Sequence, residues 1–382
     1  MEKTEGCGCS MNGFKVFFII ICMIVCCGCW DQYLMKDIAL VTLIGFDQAK
    51  NKKIVTTASI PRIPTSIVGI GKAYTQHISS IANTPQEGRA KIDSKISGTF
   101  ESAKAQVFLF GKELATSNLL HYLNFVYRNP KDSLETKLVI IDGQASQFLK
   151  HIKIKDETPN EYLSRMLKNA EDNSMIVPEN IRSFHSKILD ARQDPLIPYI
   201  KLDTSESRGL LKGLAMIHNQ SFSGYYLNVE QAKLYGLMIN RKGRVTSFTK
   251  RIPFKDKTPA KNFITLNIKK AKSKLNIQVK NKNTIVVYLQ LNMQVEISEL
   301  TAPQSLTLKQ LENRLAHTFT GDTREIFTKM KQANCDGLGI GMYIKAFHPN
   351  IWNNKNGIAY SKIKFSPLVK IKILNQNLVK NK

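Results

Sequence analysis

The stretch from Leu289 to Ile297 constrains the C-terminal half of this chain more than any other feature. Leu289, Leu291, Met293, Val295 and Ile297 alternate with Gln290, Asn292, Gln294 and Glu296. A strict period of two is what a strand with one buried and one wet face requires. Helical spacing follows: Leu308, Leu311, Leu315, Phe319, Ile326 and Met330 recur at intervals of three, four and seven, with Gly321 as a break. Near the end Val369, Ile371 and Ile373 alternate with lysines, the pattern of a closing, half-exposed strand. A largely antiparallel sheet with a long helix is therefore expected in this half.

The N-terminal half reads differently. Asp37 to Phe46 and Lys53 to Pro61 predict two strands joined by the polar stretch Asp47 to Asn51. Gln106 to Phe110 predicts a buried strand ending at Gly111, and Leu119, Leu120, Leu123 and Val126 predict a helix stopped by Asn129-Pro130. Thr136 to Ile141 predicts a further strand, with a turn at Asp142-Gly143 and a helix over Ala145 to Lys150. Strand, helix, strand, helix implies mixed sheets, so the fold class is α+β or mixed α/β. The 382 residues exceed one ordinary domain. Ser205 to Gly213, polar and glycine-bearing, marks a boundary between an N-terminal part, 29–204, and a C-terminal part, 205–382. Beyond it, Leu214 to Ile217 and Gly224 to Leu227 flank a hairpin signal at His218-Asn219-Gln220, and Val229 to Met238 predicts a helix.

The first 28 residues belong to neither part. Val16 to Val25 is unbroken in apolar residues and cysteine, preceded by Lys15 and followed by small residues up to Gly28. That is the layout of a secretory signal, and ten such residues fall short of the roughly 20 a spanning helix needs. An uncleaved anchor is the alternative. Cys26-Cys27-Gly28-Cys29 is similar to the lipobox of bacterial lipoproteins, which implies S-diacylglycerol and N-palmitoyl groups on Cys29 as the new N-terminus. Met11 competes with Met1 as the start of translation. Six of the seven cysteines lie within the first 29 residues, so a chain cut before Cys29 has no disulfide inside its body. Cys26 and Cys29 also carry C-x-x-C spacing, but at the end of an apolar run rather than in a polar fold.

The sequence carries no catalytic constellation. The seven histidines (His77, His121, His151, His185, His218, His317 and His348) have no zinc-ligand spacing, and no G-x-S-x-G elbow occurs. Gly69-Ile70-Gly71-Lys72 lacks the first glycine and the closing hydroxyl of a phosphate loop. Gly337 to Gly341 reads as the lead-in to a strand, and Asp322 with Glu325 as a solvated helix face. No catalytic residue, metal or cofactor is therefore assigned. Net charge is +25, and Arg241 to Lys282 holds fourteen Lys or Arg against Asp256 alone. With only Phe248, Phe254 and Phe263 to stack on bases, that stretch fits no nucleic-acid module. It reads as a solvated lysine-rich face or as a contact to anionic lipid headgroups.

In order along the chain, these motifs resemble the Ger(x)C family of spore germination proteins. The resemblance rests on Cys29-Trp30-Asp31, Asp37-Ile38-Ala39-Leu40-Val41, Gly45-Phe46-Asp47, Gly111-Lys112-Glu113-Leu114-Ala115 and Arg128-Asn129-Pro130. It continues through Gly213-Leu214-Ala215, Gly224-Tyr225-Tyr226-Leu227, Val295 to Leu300, and Gln332, Asp336 and Gly341 followed by Trp352. It implies a non-enzymatic, lipid-anchored subunit of a spore germinant receptor on the outer face of the spore's inner membrane, working with two integral membrane subunits. A solute-binding lipoprotein of a transporter shares the anchor and would present two similar α/β lobes around a cleft.

Overall fold

A computed structural model describes residues 16–18, 37–62, 65–66, 69–70, 74–155, 157–189, 193–252, 262–281, 284–301, 307–352 and 360–374. The strands in the first half are β1 (Ile38–Leu40), β2 (Leu43–Gln48), β3 (Ile54–Arg62), β4 (Thr65–Ser66), β5 (Gly69–Ile70), β6 (Tyr74–Ala82), β7 (Thr99–Glu101), β8 (Val107–Gly111) and β9 (Lys137–Ile141). Between and after them come helices α1 (Pro85–Asp93), α2 (Lys112–Ala115), α3 (Leu119–Arg128), α4 (Ala145–His151), α5 (Pro159–Asp172) and α6 (Ile181–Leu189). The rest of the chain adds β10 (Leu196–Asp203), β11 (Arg208–His218), β12 (Ser221–Asn228), α7 (Val229–Met238), β13 (Ser247–Arg251), β14 (Phe263–Asn281) and β15 (Thr284–Leu300). It closes with α8 (Leu308–Ala333), α9 (Ile340–Phe347) and β16 (Ile363–Ile373).

Eight strands form one sheet in the order β12-β11-β10-β9-β8-β2-β3-β6. Its four central strands, β10, β9, β8 and β2, are parallel, and antiparallel hairpins flank them on both sides. Parallel strands need cover on both faces, and alternate residues of the same strands feed two cores. Val107, Leu109, Val139 and Ile141 pack with Phe148 of α4 and Leu163 and Leu167 of α5. Phe108, Phe110, Leu138 and Ile140 pack with Leu119 and Leu123 of α3 and Phe184 of α6.

The second sheet, β13-β14-β15-β16, is antiparallel except that β16 runs parallel to β15. One face is closed by α8, which starts at a capping box of Thr307 and Gln310. Leu311, Leu315, Phe319, Ile326 and Met330 bury there against Leu289, Leu291, Met293 and Val295. Each such side chain contributes about 1.5–3 kcal/mol on burial. Phe319 meets Phe248 of β13 edge to face at 5.2 Å, and Phe327 stacks on Phe365 of β16 at 4.1 Å. The helix is continuous through Gly321, where a Cβ would meet nothing within 4 Å, so the expected break is absent. Intrinsic glycine cost, about 1 kcal/mol, is overridden by the packing on either side.

The polar segment expected to separate two domains is a hairpin. β10 and β11 pair from Leu196↔Met216 to Asp203↔Arg208, with one register shift between Tyr199 and Ile200, so the eight-stranded sheet runs across residue 205. One apolar core also runs from Leu214 and Met216 of β11 through α7 and α8 into the second sheet. At the next hairpin Asn219 and Gln220 both have positive φ, 48° and 69°, as a tight two-residue turn requires. No helix among the described residues is long and apolar enough to cross a membrane.

Candidate functional site

Three places gather the polar side chains of the quoted motifs. The first lies at the carboxyl ends of β2 and β8. Asp47, buried at the end of β2, accepts hydrogen bonds from the backbone N–H of Ala145 (2.6 Å) and Ser146 (2.8 Å), the first residues of α4. It caps a helix whose own N-cap residue, Gln144, makes no side-chain cap. A Cβ on Gly111 would lie 2.1 Å from Asp47 Oδ1, and one on Gly45 would lie 3.1 Å from Leu149 Cδ1. Gly111 is thus required by its close approach to Asp47, Gly45 packs tightly on Leu149 and Ala145 of α4, and the cap made by Asp47 is structural rather than reactive.

The second is the junction of α8 and α9. Asn334 ends α8 in the left-handed conformation, φ 49°, which asparagine tolerates. Its Oδ1 accepts from the Tyr360 N–H, so its Nδ2 faces His218 Nε2 at 2.9 Å. That network assigns the proton of His218 to Nδ1, which lies 3.3 Å from Asp194 Oδ2. The same Asp194 oxygen accepts from the Asp336 N–H at 2.7 Å. Asp336 in turn accepts from Ile340 N–H, Gly341 N–H and the Tyr360 hydroxyl at 2.9, 2.6 and 2.6 Å. Burial pushes the Asp336 carboxyl up to about 6, against those three hydrogen bonds and with the charge of Asp194. Cys335 beside it is a free, buried thiol, and burial pushes its pKa well up, so it is not an activated nucleophile. Gly337 to Gly341 therefore leads into helix α9, not into a strand as its sequence reads. Gly339 at φ 70° turns the chain, and Asp336 supplies the cap.

The third is the basic stretch. It does not behave as one surface: Lys250 turns inward to Asp322 of α8 at 2.7 Å, and Arg244 lies 3.4 Å from Asp172. Asp322 is thus an ion-pair partner rather than part of a solvated face, while Glu325 accepts from Gln231. Among the described lysines of the stretch, Lys270, Lys272 and Lys274 belong to the uncovered face of the second sheet. Across β14, β15 and β16 the register aligns Lys270 with Gln294 and Lys372, Lys272 with Asn292 and Lys370, and Lys274 with Gln290 and Leu368. Further along, Asn276 aligns with Tyr288 and Ser366, and Gln278 with Val286 and Lys364. Successive lysines on one strand stand about 7 Å apart, and β14 is about 10 Å from β16. These spacings are within a Debye length of roughly 8 Å or close to it, so the charges repel one another with little screening. The nearest acid on this face, Glu296, lies beyond these rows, opposite Asn267, and is taken by Lys269 at 2.8 Å. Lys242 joins Lys270, Lys272, Lys370 and Lys372 around a shallow groove on this face.

Cys29, its C-x-x-C partner Cys26, and Gly71 and Lys72 lie outside the described residues. The histidines stay dispersed: His77 bonds Ser59, His185 stacks on Tyr127, and His218 serves the α8–α9 junction. Among the described residues no three His, Cys, Asp or Glu side chains are grouped to hold a metal ion. The two sheets also differ in strand number and topology, so the described residues do not form the paired similar lobes of a solute-binding protein.

Comparison with known proteins follows these landmarks. A family described as "Spore germination protein N-terminal domain" matches residues 31–202. A second, "Spore germination B3/GerAC like, C-terminal", matches residues 212–377. Spore germination protein KC of Bacillus subtilis (strain 168) is 21% identical over 384 residues, 87% of each chain. The putative spore germination protein YfkR of the same organism is 22% identical over 198 residues, a match that spans about half the length of each chain. The crystal structure of the GerBC protein shares the fold, with a TM-score of 0.54 at 17% identity, covering 87% of this chain and 97% of that one.

Proposed function

Because this chain belongs to the GerAC-like family of spore germination proteins, and is a germinant-receptor subunit by that membership, we propose that it serves there as a non-catalytic, lipid-anchored component. The observation that carries the reading is the reach of the two family matches, 31–202 and 212–377, which begin two residues after Cys29. Residues 1–28 act as a cleaved signal, and the diacylglyceryl and N-palmitoyl groups on Cys29 hold the protein to the outer face of the spore's inner membrane. Two or three acyl chains, at about 0.8 kcal/mol per buried methylene, give lasting attachment. The clusters around Asp47 and Asp336 support a non-catalytic role, since both are taken up by helix caps and hydrogen bonds between elements. Two integral membrane subunits complete the receptor, and exposed lysines within the basic stretch Arg241 to Lys282 add contact with anionic headgroups. The segments 29–204 and 205–382 are units of descent that fold on a shared sheet.

The test is a detergent-solubilised pull-down of the tagged chain from dormant spores, with mass spectrometry of its partners and of its own N-terminal peptide. Acylated Cys29 together with two polytopic germination subunits is the expected result. Acylated Cys29 with transporter components would keep the anchor and overturn the role, and Cys29→Ala protein still acylated and membrane-bound would overturn the anchor.

A further inference from the structure

We infer that the uncovered face of the second sheet, not the basic stretch as a sequence unit, is the surface that lies on an anionic lipid membrane. This deepens the anchored reading above and rests on it. The sequence divides the charge wrongly for such a contact. Lys250 and Arg244 of the basic stretch are tied to Asp322 and Asp172. Lys370 and Lys372, outside the stretch, sit in register with Lys272 and Lys270 on one exposed lattice, and Lys364 stands further along the same face in the row of Gln278.

The chemistry of the lattice selects its partner. Every cation on β14 and β16 in these rows is lysine and none is arginine. Protein interfaces concentrate arginine and aromatic anchors in desolvated pockets and are depleted in lysine. Lysine is a strongly hydrated point charge without the fork that fixes one geometry, which suits a fluid layer of headgroups. The residues between the lysines, Gln290, Asn292 and Gln294, are neutral hydrogen-bonding groups, and no acid interrupts the rows. Leu368 and Tyr288, 50% and 40% exposed, are the large apolar groups on the same face. An aliphatic chain and an amphipathic ring beside a carpet of lysines fit a headgroup layer. A single ring does not make a stacking platform for nucleic acid.

The geometry makes this a second point of attachment. Ile38 follows Cys29 by nine residues, at most about 30 Å of extended chain. An acylated Cys29 keeps the body within reach of the bilayer, and the lysine face sets which side meets it.

The acylated full chain is reconstituted into vesicles of phosphatidylcholine, or of phosphatidylcholine and phosphatidylglycerol in equal parts, and pulse-labelled with an amine reagent read residue by residue. Lys270, Lys272, Lys370 and Lys372 are expected to label about fivefold more slowly on the anionic vesicles, the protection roughly 1 kcal/mol per lysine gives. High salt should restore them, while exposed Lys201 and Lys331 on other surfaces do not change. Combined Lys270→Glu, Lys370→Glu and Lys372→Glu should abolish the salt-sensitive contact, and combined Arg241→Glu and Arg244→Glu should leave it intact. Equal labelling on both vesicles overturns the inference, as does protection seen only when membrane protein subunits are added. Flotation in high salt separates the two readings: a chain that floats there but whose lysines label freely even at low salt keeps the anchor and loses the face. A chain that does not float but is protected at low salt keeps the face and loses the anchor.

Discussion

The two sheets of this protein solve the same burial problem in opposite ways. In the eight-stranded sheet the parallel centre is closed on both faces, by α4 and α5 on one side and α3 and α6 on the other. In the four-stranded sheet α8 closes one face and the other stays in water. A sheet covered twice offers only its strand ends and edges for anything else, and Asp47 and Gly111 show those ends used for internal caps. A sheet covered once keeps a flat surface free to carry charge, because residues there make few packing contacts.

Substitutions on the two faces should therefore differ in kind. The largest loss is expected from Phe319→Ala under the second sheet, about 3–5 kcal/mol by denaturant unfolding; a loss below 1 kcal/mol would mean α8 does not hold that face. Gly111→Ala should cost about 2–4 kcal/mol, since the new methyl collides with Asp47 and frees the α4 cap. Asp336 tests the junction between the sheets through pH. Its carboxyl is raised to about 6 from an ordinary value near 4. It therefore contributes stability that is fully present below about pH 4 and lost as pH rises through about 6. Between pH 4 and 7 the wild type should lose about 1–3 kcal/mol relative to Asp336→Asn, a figure discounted for partial exposure of the site; parallel stability curves would remove Asp336 from that role. Gly321→Ala should gain about 1 kcal/mol, and a loss instead would show a bend required in α8. On the open face, combined Lys272→Gln and Lys370→Gln should change stability by less than about 0.5 kcal/mol.

What the sequence disclosed follows the same division. β15 was legible because one face is wet, leaving Leu289 to Ile297 in strict alternation. The central strands were legible as short apolar runs, such as Val107 to Phe110. β14 was not read as a strand, although Ile264, Leu266, Ile268 and then Ala271, Ser273, Leu275 and Ile277 supply its inner face. A register shift between Ile268 and Lys270 moves the phase by one residue, so a period of two fails across it. β10 and the edge strand β6 were also missed. So were α5, despite the capping box of Thr158 and Glu161 at its start, and α9, whose cap comes from Asp336 rather than from its N-cap residue. For the candidate face, the sequence disclosed the lysines but not their grouping. Register across three strands, bringing Lys272 level with Lys370 and Lys270 with Lys372, is a property of the sheet.

The β10–β11 hairpin has a consequence for inheritance. One family segment ends at residue 202 and the other begins at residue 212, so one claims β10 and the other starts inside β11. A crossover between two relatives near residue 205 would join strands from different parents along eight registered pairs. Any mismatch there exposes an unpaired edge that can recruit another chain. Viable recombinants are expected to take both strands from one parent, with their crossovers displaced beyond Asn228 where the sheet ends.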